Sequence, residues 1–435
     1  MATLIGGMNA TPAVAAGQRA RRATVAISAQ DLRALRGEIE ELRTEVQQLR
    51  AEQHTTQVQA QQAQAQAQSA ATDAQASQSQ VQVATAAVPH QIDTALASRP
   101  HPTAQWFDST TLSGRMYYNI SSVHREVNGV GTESDVGLLI KRFYLGVDHR
   151  FNNVFSASVT ADVDSVGATN GALVGRGFYI KKAFLQVRLD PALTIQIGSS
   201  DLPWVPYSEG IYGYRYIEQT LIDRVKFGTS ADWGIHLSGQ LANGLISYAV
   251  SAVDGGGYRD PHLTNRVDLE GRVSLRYHGF DAAVGGYSGQ LGRNVAGGPA
   301  TYHTATRLNA LLAYRNSRFS VGGEYFWARN WAQVSSPIED TSDGYSAFAS
   351  VNVAPRISLF GRYDWVNPHR DTAPTLVEHY FDLGAQFSPY HNIDLSLVYK
   401  RDMANNGVIN TGNGLIGGTL RGTYDEVGLF GQFRF

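Results

Sequence analysis

The sequence predicts an all-β chain, a transmembrane antiparallel β-barrel of about sixteen strands preceded by a short N-terminal α-helical coiled coil. Three observations carry this. From Thr110 onward, segments of about ten residues alternate apolar and polar side chains, the length at which a tilted strand crosses a bilayer. The connections between those segments alternate between short and long. No segment reaches the roughly eighteen uninterrupted apolar residues of a membrane-spanning helix.

The alternation is legible residue by residue. Ile393, Leu395, Leu397 and Tyr399 point one way, and Asp394, Ser396 and Lys400 the other. Phe155, Ala157, Val159, Ala161 and Val163 oppose Ser156, Ser158, Thr160, Asp162 and Asp164. Ile357, Leu359, Tyr363 and Trp365 oppose Arg356, Ser358, Arg362 and Asp364. Tight turns are expected at Asn152-Asn153, Asp190-Pro191, Ala242-Asn243-Gly244, His278-Gly279, Asn316-Ser317, Ala354-Pro355 and Pro389 to Asn392. Long loops are expected at Val123 to Val136, Ser165 to Gly177, Ser200 to Thr229, Asp254 to Arg266, Gln290 to Ala300, Ala328 to Asp343, Asn367 to Thr375 and Asp402 to Arg421. Both ends of such a barrel fall on the side of the short turns, the periplasmic side.

Charged faces this dense suit an aqueous lumen better than the outer shell of a soluble sandwich. Tyr277, Tyr314, Tyr325, Trp327, Tyr363, Trp365 and Tyr399 sit near strand ends, where interfacial girdles are expected; ordinary cross-strand aromatic packing is the alternative. At the C-terminus Val427, Leu429, Phe433 and Phe435 form a period-2 apolar row. It resembles the segment by which outer-membrane barrels are recognised by their assembly machinery, so Phe433 and Phe435 are assigned to assembly.

Ahead of the barrel the chain divides into three parts. Residues 1–30 read as the remnant of a signal or targeting segment: Ala13-Val14-Ala15 resembles a cleavage site, without a basic or continuous apolar stretch before it. Residues 31–52 read as a coiled coil, because Leu32, Leu35, Ile39, Leu42, Val46 and Leu49 follow a 3-4-3-4-3 spacing; an amphipathic helix lying on another surface is the alternative. Residues 53–102 form a Gln/Ala-rich linker ending in Pro100 and Pro102, too poor in large apolar residues to offset ordering. The barrel domain is assigned to 103–435.

Composition narrows the function classes. A net charge of -2 is unlike that of a general nucleic-acid binder. There is no cysteine, so disulfides and thiolate metal sites do not arise. The 12 histidines show no metal-ligand spacing, and no Gly-x-Ser-x-Gly elbow occurs, so neither catalytic nor metal residues are assigned and no cofactor is expected.

Several segments resemble the phosphate-selective porin O and P family of Gram-negative outer membranes. They are Lys141-Arg142-Phe143-Tyr144-Leu145-Gly146-Val147, Ile180-Lys181-Lys182-Ala183-Phe184-Leu185, Ile195-Gln196-Ile197-Gly198 before a proline-containing third loop, and Asp232-Trp233-Gly234-Ile235-His236-Leu237-Ser238-Gly239 leading to Gly244 and Ile246-Ser247-Tyr248. The resemblance spans about Ser109 to Phe435. It implies a homotrimer in outer-membrane lipid, a third loop folded into the lumen, and arginine and lysine rows that guide anions such as phosphate. It also implies passive passage of small anionic or neutral solutes.

For selectivity the sequence offers Arg142, Lys182, Arg272, Arg307 and Arg362 on inward faces, and Arg215, Arg224 and Lys226 in the third loop, Ser200 to Thr229. Guanidinium and ammonium groups facing water in a narrow lumen favour anions. The alternative for each arginine is a pair with a lumen carboxylate such as Asp162, Asp268, Glu270, Glu324, Asp364, Asp382 or Asp394, and for the loop, a place outside the barrel. Two other functions stay open: a structural barrel that tethers the envelope through its coiled coil, and a barrel enzyme such as a lipase.

Overall fold

The computed structural model of the chain describes residues 104–165 and 176–435. The signal remnant 1–30, the coiled coil 31–52, the linker 53–102 and most of the second expected long loop lie outside the described residues. A short helix α1 (Ala104–Asp108) leads into sixteen strands. They are β1 (Thr110–Val127), β2 (Val130–Arg150), β3 (Phe155–Ser165), β4 (Arg176–Asp190), β5 (Leu193–Asp201), β6 (Ala231–Leu241), β7 (Ile246–Val253) and β8 (Asp268–Tyr277). There follow β9 (Phe280–Gly289), β10 (Ala305–Arg315), β11 (Phe319–Arg329), β12 (Thr341–Ala354), β13 (Ile357–Asn367), β14 (Val377–Tyr390), β15 (Ile393–Thr411) and β16 (Gly414–Arg434). Each strand pairs antiparallel with its sequence neighbour, and β1 pairs with β16 from Arg115↔Arg434 to Val127↔Gly422. The sheet is a closed sixteen-stranded barrel with no free edge.

Its polarity is inverted relative to a soluble protein. Outward residues are apolar and exposed, as Leu397 at 62% and Leu312 at 63%, whereas inward Asp364, Asp382 and Lys400 are at most 1% exposed. An outward surface of this kind is stable against hydrocarbon, and inward Asp364, Asp382 and Lys400 each find polar partners inside. Outward rings stack between strands: Tyr345 lies 5.5 Å from Trp365, and Phe280 4.7 Å from Tyr314. At the seam the Phe435 backbone exchanges two 3.0 Å hydrogen bonds with Gly114. A Cβ at Gly114 would collide with the Phe435 ring, so glycine makes room for the terminal phenylalanine on the outer face.

All seven expected tight turns join strand pairs, but two of the expected long loops are corrected. Val123–Val136 and Asp402–Arg421 are the tips of long hairpins, β1–β2 and β15–β16, with two-residue turns at Asn128-Gly129 and Gly412-Asn413. Asn128 and Gly129 have φ of 52° and 80°, the primed turn whose twist matches a hairpin. Around Asn128-Gly129 alternation fades because β2 is exposed on both faces from Val130 to Leu139, whereas at the other tip Ile409 and Ile416 are buried in the apolar core.

Candidate functional site

The segment between β5 and β6, residues 202–230, lies inside the barrel. It carries two short helices, α2 (Val205–Tyr212) and α3 (Leu221–Arg224). Pro206 at the start of α2 fixes φ where no N–H is needed, and Gly213 closes it in the left-handed region at φ 83°. Trp204, Val205, Ile211, Tyr212, Leu221, Ile222, Val225 and Phe227 of this segment pack with inward Leu311, Phe326, Phe348 and Val366 of the far wall. Tyr216 and Ile217 join Tyr117, Phe360, Val398 and Phe430 in a second cluster. Trp204 sits over Gly285, where any Cβ would come within 2.7 Å of the indole. The protein's main apolar core is therefore this loop and the lumen wall it covers.

Polar clamps complete the docking. Arg224, fully buried, donates from Nε to Asp364 at 2.9 Å and from Nη1 and Nη2 to the two oxygens of Glu378 at 2.6 and 3.1 Å. It also reaches Asp402 at 3.4 Å and lies 4.3 Å over the Tyr380 ring. Arg362 pairs with Asp364 at 2.6 Å and donates to the Gln219 carbonyl at 2.5 Å. Arg307 pairs with Glu270 at 3.1 Å and donates to the Phe227 carbonyl at 2.5 Å. Arg272 donates to the Pro203 carbonyl at 2.8 Å and lies 4.0 Å from the Tyr207 ring. On these strands the wall arginines and carboxylates tie the loop to β8–β15.

The other side of the loop is open. Toward the long-loop end a cavity of about 480 Å³ is lined by Arg125, Lys141, Arg142, Arg215, Lys226, Arg259 and Lys400, with Glu218 and Glu426 as the lining carboxylates among the described residues. Toward the turn end a cavity of about 560 Å³ is lined by Arg115, Lys181, Lys182, Arg215 and Arg434, against the side-chain carboxylates of Asp201 and Glu209. Arg215 lines both. It pairs with Glu209 at 2.5 Å and lies 3.8 Å from Asp223. Lys226 is exposed to the loop-side cavity, with Gln219 at 3.5 Å. Arg142 pairs with Asp162, and Lys182 with Asp201 at 2.5 Å. Burial alone would raise the Glu218 carboxyl, but the ammonium groups of Lys400 and Lys141 outweigh it and hold Glu218 well below the usual carboxylate range.

Of the eight expected selectivity residues, the structure thus brings Arg142, Lys182, Arg215 and Lys226 to the open cavities and places Arg224, Arg272, Arg307 and Arg362 in the docking of the loop. Lys141, Lys181, Arg115, Arg125 and Arg259 line the open side and were not singled out by sequence. Among the described residues no group of three His, Cys, Asp or Glu is placed to hold a metal ion.

No protein-family model matches the sequence, and no curated protein sequence is significantly similar to it. Solved structures are similar in fold. An anion-selective porin from Comamonas acidovorans superposes with a TM-score of 0.57 at 14% identity, over 75% of this chain and 99% of that one. The fold is that of the outer-membrane porins. The outer membrane channel DcaP of Acinetobacter baumannii gives 0.51 at 12% identity, over 75% and 97%. Salmonella typhi OmpF in complex with daunomycin gives 0.50 at 11%, over 76% and 99%.

Proposed function

We propose that the chain is an outer-membrane porin, a passive channel for small hydrophilic solutes that prefers anions such as phosphate. The observation that carries this is the segregation of lumen charge. Glu270 of β8, Asp364 of β13, Glu378 and Asp382 of β14 and Asp402 of β15 are engaged by the docked loop, and the charged residues left lining the cavities beside β1 to β4 are mostly cations. Low-dielectric walls focus the field of such charges, so a near-neutral protein can still favour anions where its path is narrow. The resemblance to the phosphate-selective porin O and P family and the fold likeness to an anion-selective porin support the same reading. So does the inverted polarity of the wall, which suits a lipid environment.

Passage of this kind needs no bond chemistry, and the proposal is of a channel, not an enzyme. A homotrimer goes with it: Vibrio cholerae OmpT, similar in fold with a TM-score of 0.50 at 12% identity, has been solved in a trimer form. Liposome swelling tests the reading. Proteoliposomes should swell faster in small organic anions than in neutral sugars of equal size. Impermeability to both classes would overturn it.

A further inference from the structure

Two of the open-side cations reach the lumen by breaking strand alternation. On β2, Tyr117 pairs with Arg142 and Tyr118 with Ile140, so Lys141 is an extra residue. On β4, Thr160 pairs with Lys182 and Ala161 with Ile180, so Lys181 is an extra residue. A β-bulge of this kind re-aims one side chain. Each strand therefore turns two consecutive cations inward where alternation would turn one. The β4 bulge is held locally, since the Ser199 hydroxyl donates to the Lys181 carbonyl at 2.7 Å and the facing Gly198 adopts φ 126° against β4.

The in-register cations are paired, Arg142 with Asp162 and Lys182 with Asp201. The bulge lysines are not in ion pairs among the described residues. Lys141 donates to the Ile217 carbonyl at 2.5 Å and lies 5.2 Å over Phe430. Lys181 lies 5.0 Å over Tyr144 and 5.9 Å over Tyr258. Lys141 lines the loop-side cavity, Lys181 the turn-side cavity, and Arg215 lines both.

We propose that Lys141 and Lys181, each the extra residue of a β-bulge, are specificity-determining residues of the channel and contact a small oxyanion, carboxylate or phosphate, on either side of Arg215. The proposal rests on the anion-channel reading above. It adds that on β2 and β4 the cation outside an ion pair among the described residues is the bulge residue and not its in-register neighbour.

The test is planar-bilayer recording of chloride current, with inorganic phosphate and, in a second arm, acetate added as blockers. Wild type is compared with Lys141→Gln, Lys181→Gln, Lys181→Arg and the paired variant Lys182→Gln/Asp201→Asn, each first shown to fold by its heat-modifiable gel mobility. At 1 M KCl the Debye length is only about 3 Å, so an effect that persists there reports contact and not a distant field. Lys181→Gln should then raise the half-blocking phosphate concentration roughly fivefold, and the acetate value likewise, as expected for one close charge. Lys181→Arg and the pair removal should stay near wild type, and Lys141→Gln should follow Lys181→Gln if it folds. A wild-type channel without anion preference would overturn the anion-channel reading on which this stands. An anion-selective wild type that neither blocker affects, or whose half-block is unchanged in Lys181→Gln, would overturn the bulge proposal alone.

Discussion

Replacing Arg224 with Met tests how the third loop is held. The guanidinium is fully buried and makes a two-pronged bond to Glu378, a bond to Asp364 and an approach to Asp402. Asp364 keeps Arg362 at 2.6 Å, but Glu378 and Asp402 lose their cationic partner. Breaking a buried pair by removing one member costs about 3–5 kcal/mol, most of it from the charge left behind. Water in the lumen can reach the vacated site, so the lower figure applies. A loss of about 3 kcal/mol raises the undocked population of the loop roughly a hundredfold, at about 1.4 kcal/mol per factor of ten. Single-channel records of Arg224→Met should flicker between conductance levels while the wild type is quiet, and its denaturant midpoint should fall. Arg224→Met/Glu378→Met removes the stranded carboxylate and should recover part of the midpoint. Quiet records and an unchanged midpoint in the single variant would refute the clamp.

Other outcomes follow from the same structure. Asp340, just before β12, accepts from the Thr372 hydroxyl at 2.6 Å, from His369 at 2.8 Å and from the Asp371 N–H at 3.1 Å. Burial alone would raise its carboxyl, but these bonds prevail and lower it. A depressed carboxyl contributes stability that is present above its unfolded value, near pH 4, and is lost as pH falls through the folded one. Proteolysis between Pro368 and Leu376 should therefore accelerate in acid below about pH 4, and Asp340→Asn should show that rate already at neutral pH. Deleting Phe435 removes the ring over Gly114 and should lower the amount of folded barrel in cells, read by heat-modifiable mobility, without changing the conductance of barrels that do form. Cross-linking of intact membranes should give a trimer that survives removal of the residues before Pro102; a strict monomer would contradict the assembly proposed.

The barrel was legible because alternation and turn chemistry are local. Ile393 to Lys400 and Ile357 to Trp365 each announce their two faces, and His278-Gly279 announces its turn. Asn128-Gly129 carried the same turn signal but sat in a polar run that read as a loop. The docking of the third loop was legible only by its length. Its partners Asp364, Glu378 and Asp402 come from three different strands, a juxtaposition that depends on the barrel's closure. A fainter signal was present, since Phe326, Phe348, Phe360, Val398 and Phe430 are apolar where alternation calls for polar residues, and all of them sit in the apolar clusters that the loop joins. The bulges were hidden because one extra residue in Lys141-Arg142 or Lys181-Lys182 looks like ordinary irregularity until each strand's partner is known.

The central claim is that the path left beside the docked loop is cationic, and the reversal potential in a KCl gradient measures it most directly. The wild-type channel should reverse on the chloride side of zero, more strongly at low salt where screening is weak. Arg215→Gln/Lys226→Gln, which removes two cations of the open cavities without touching the Arg224 clamp, should move the potential toward potassium. A wild-type potential at zero or on the potassium side, or a double variant that keeps the wild-type value at every salt concentration, would contradict the account.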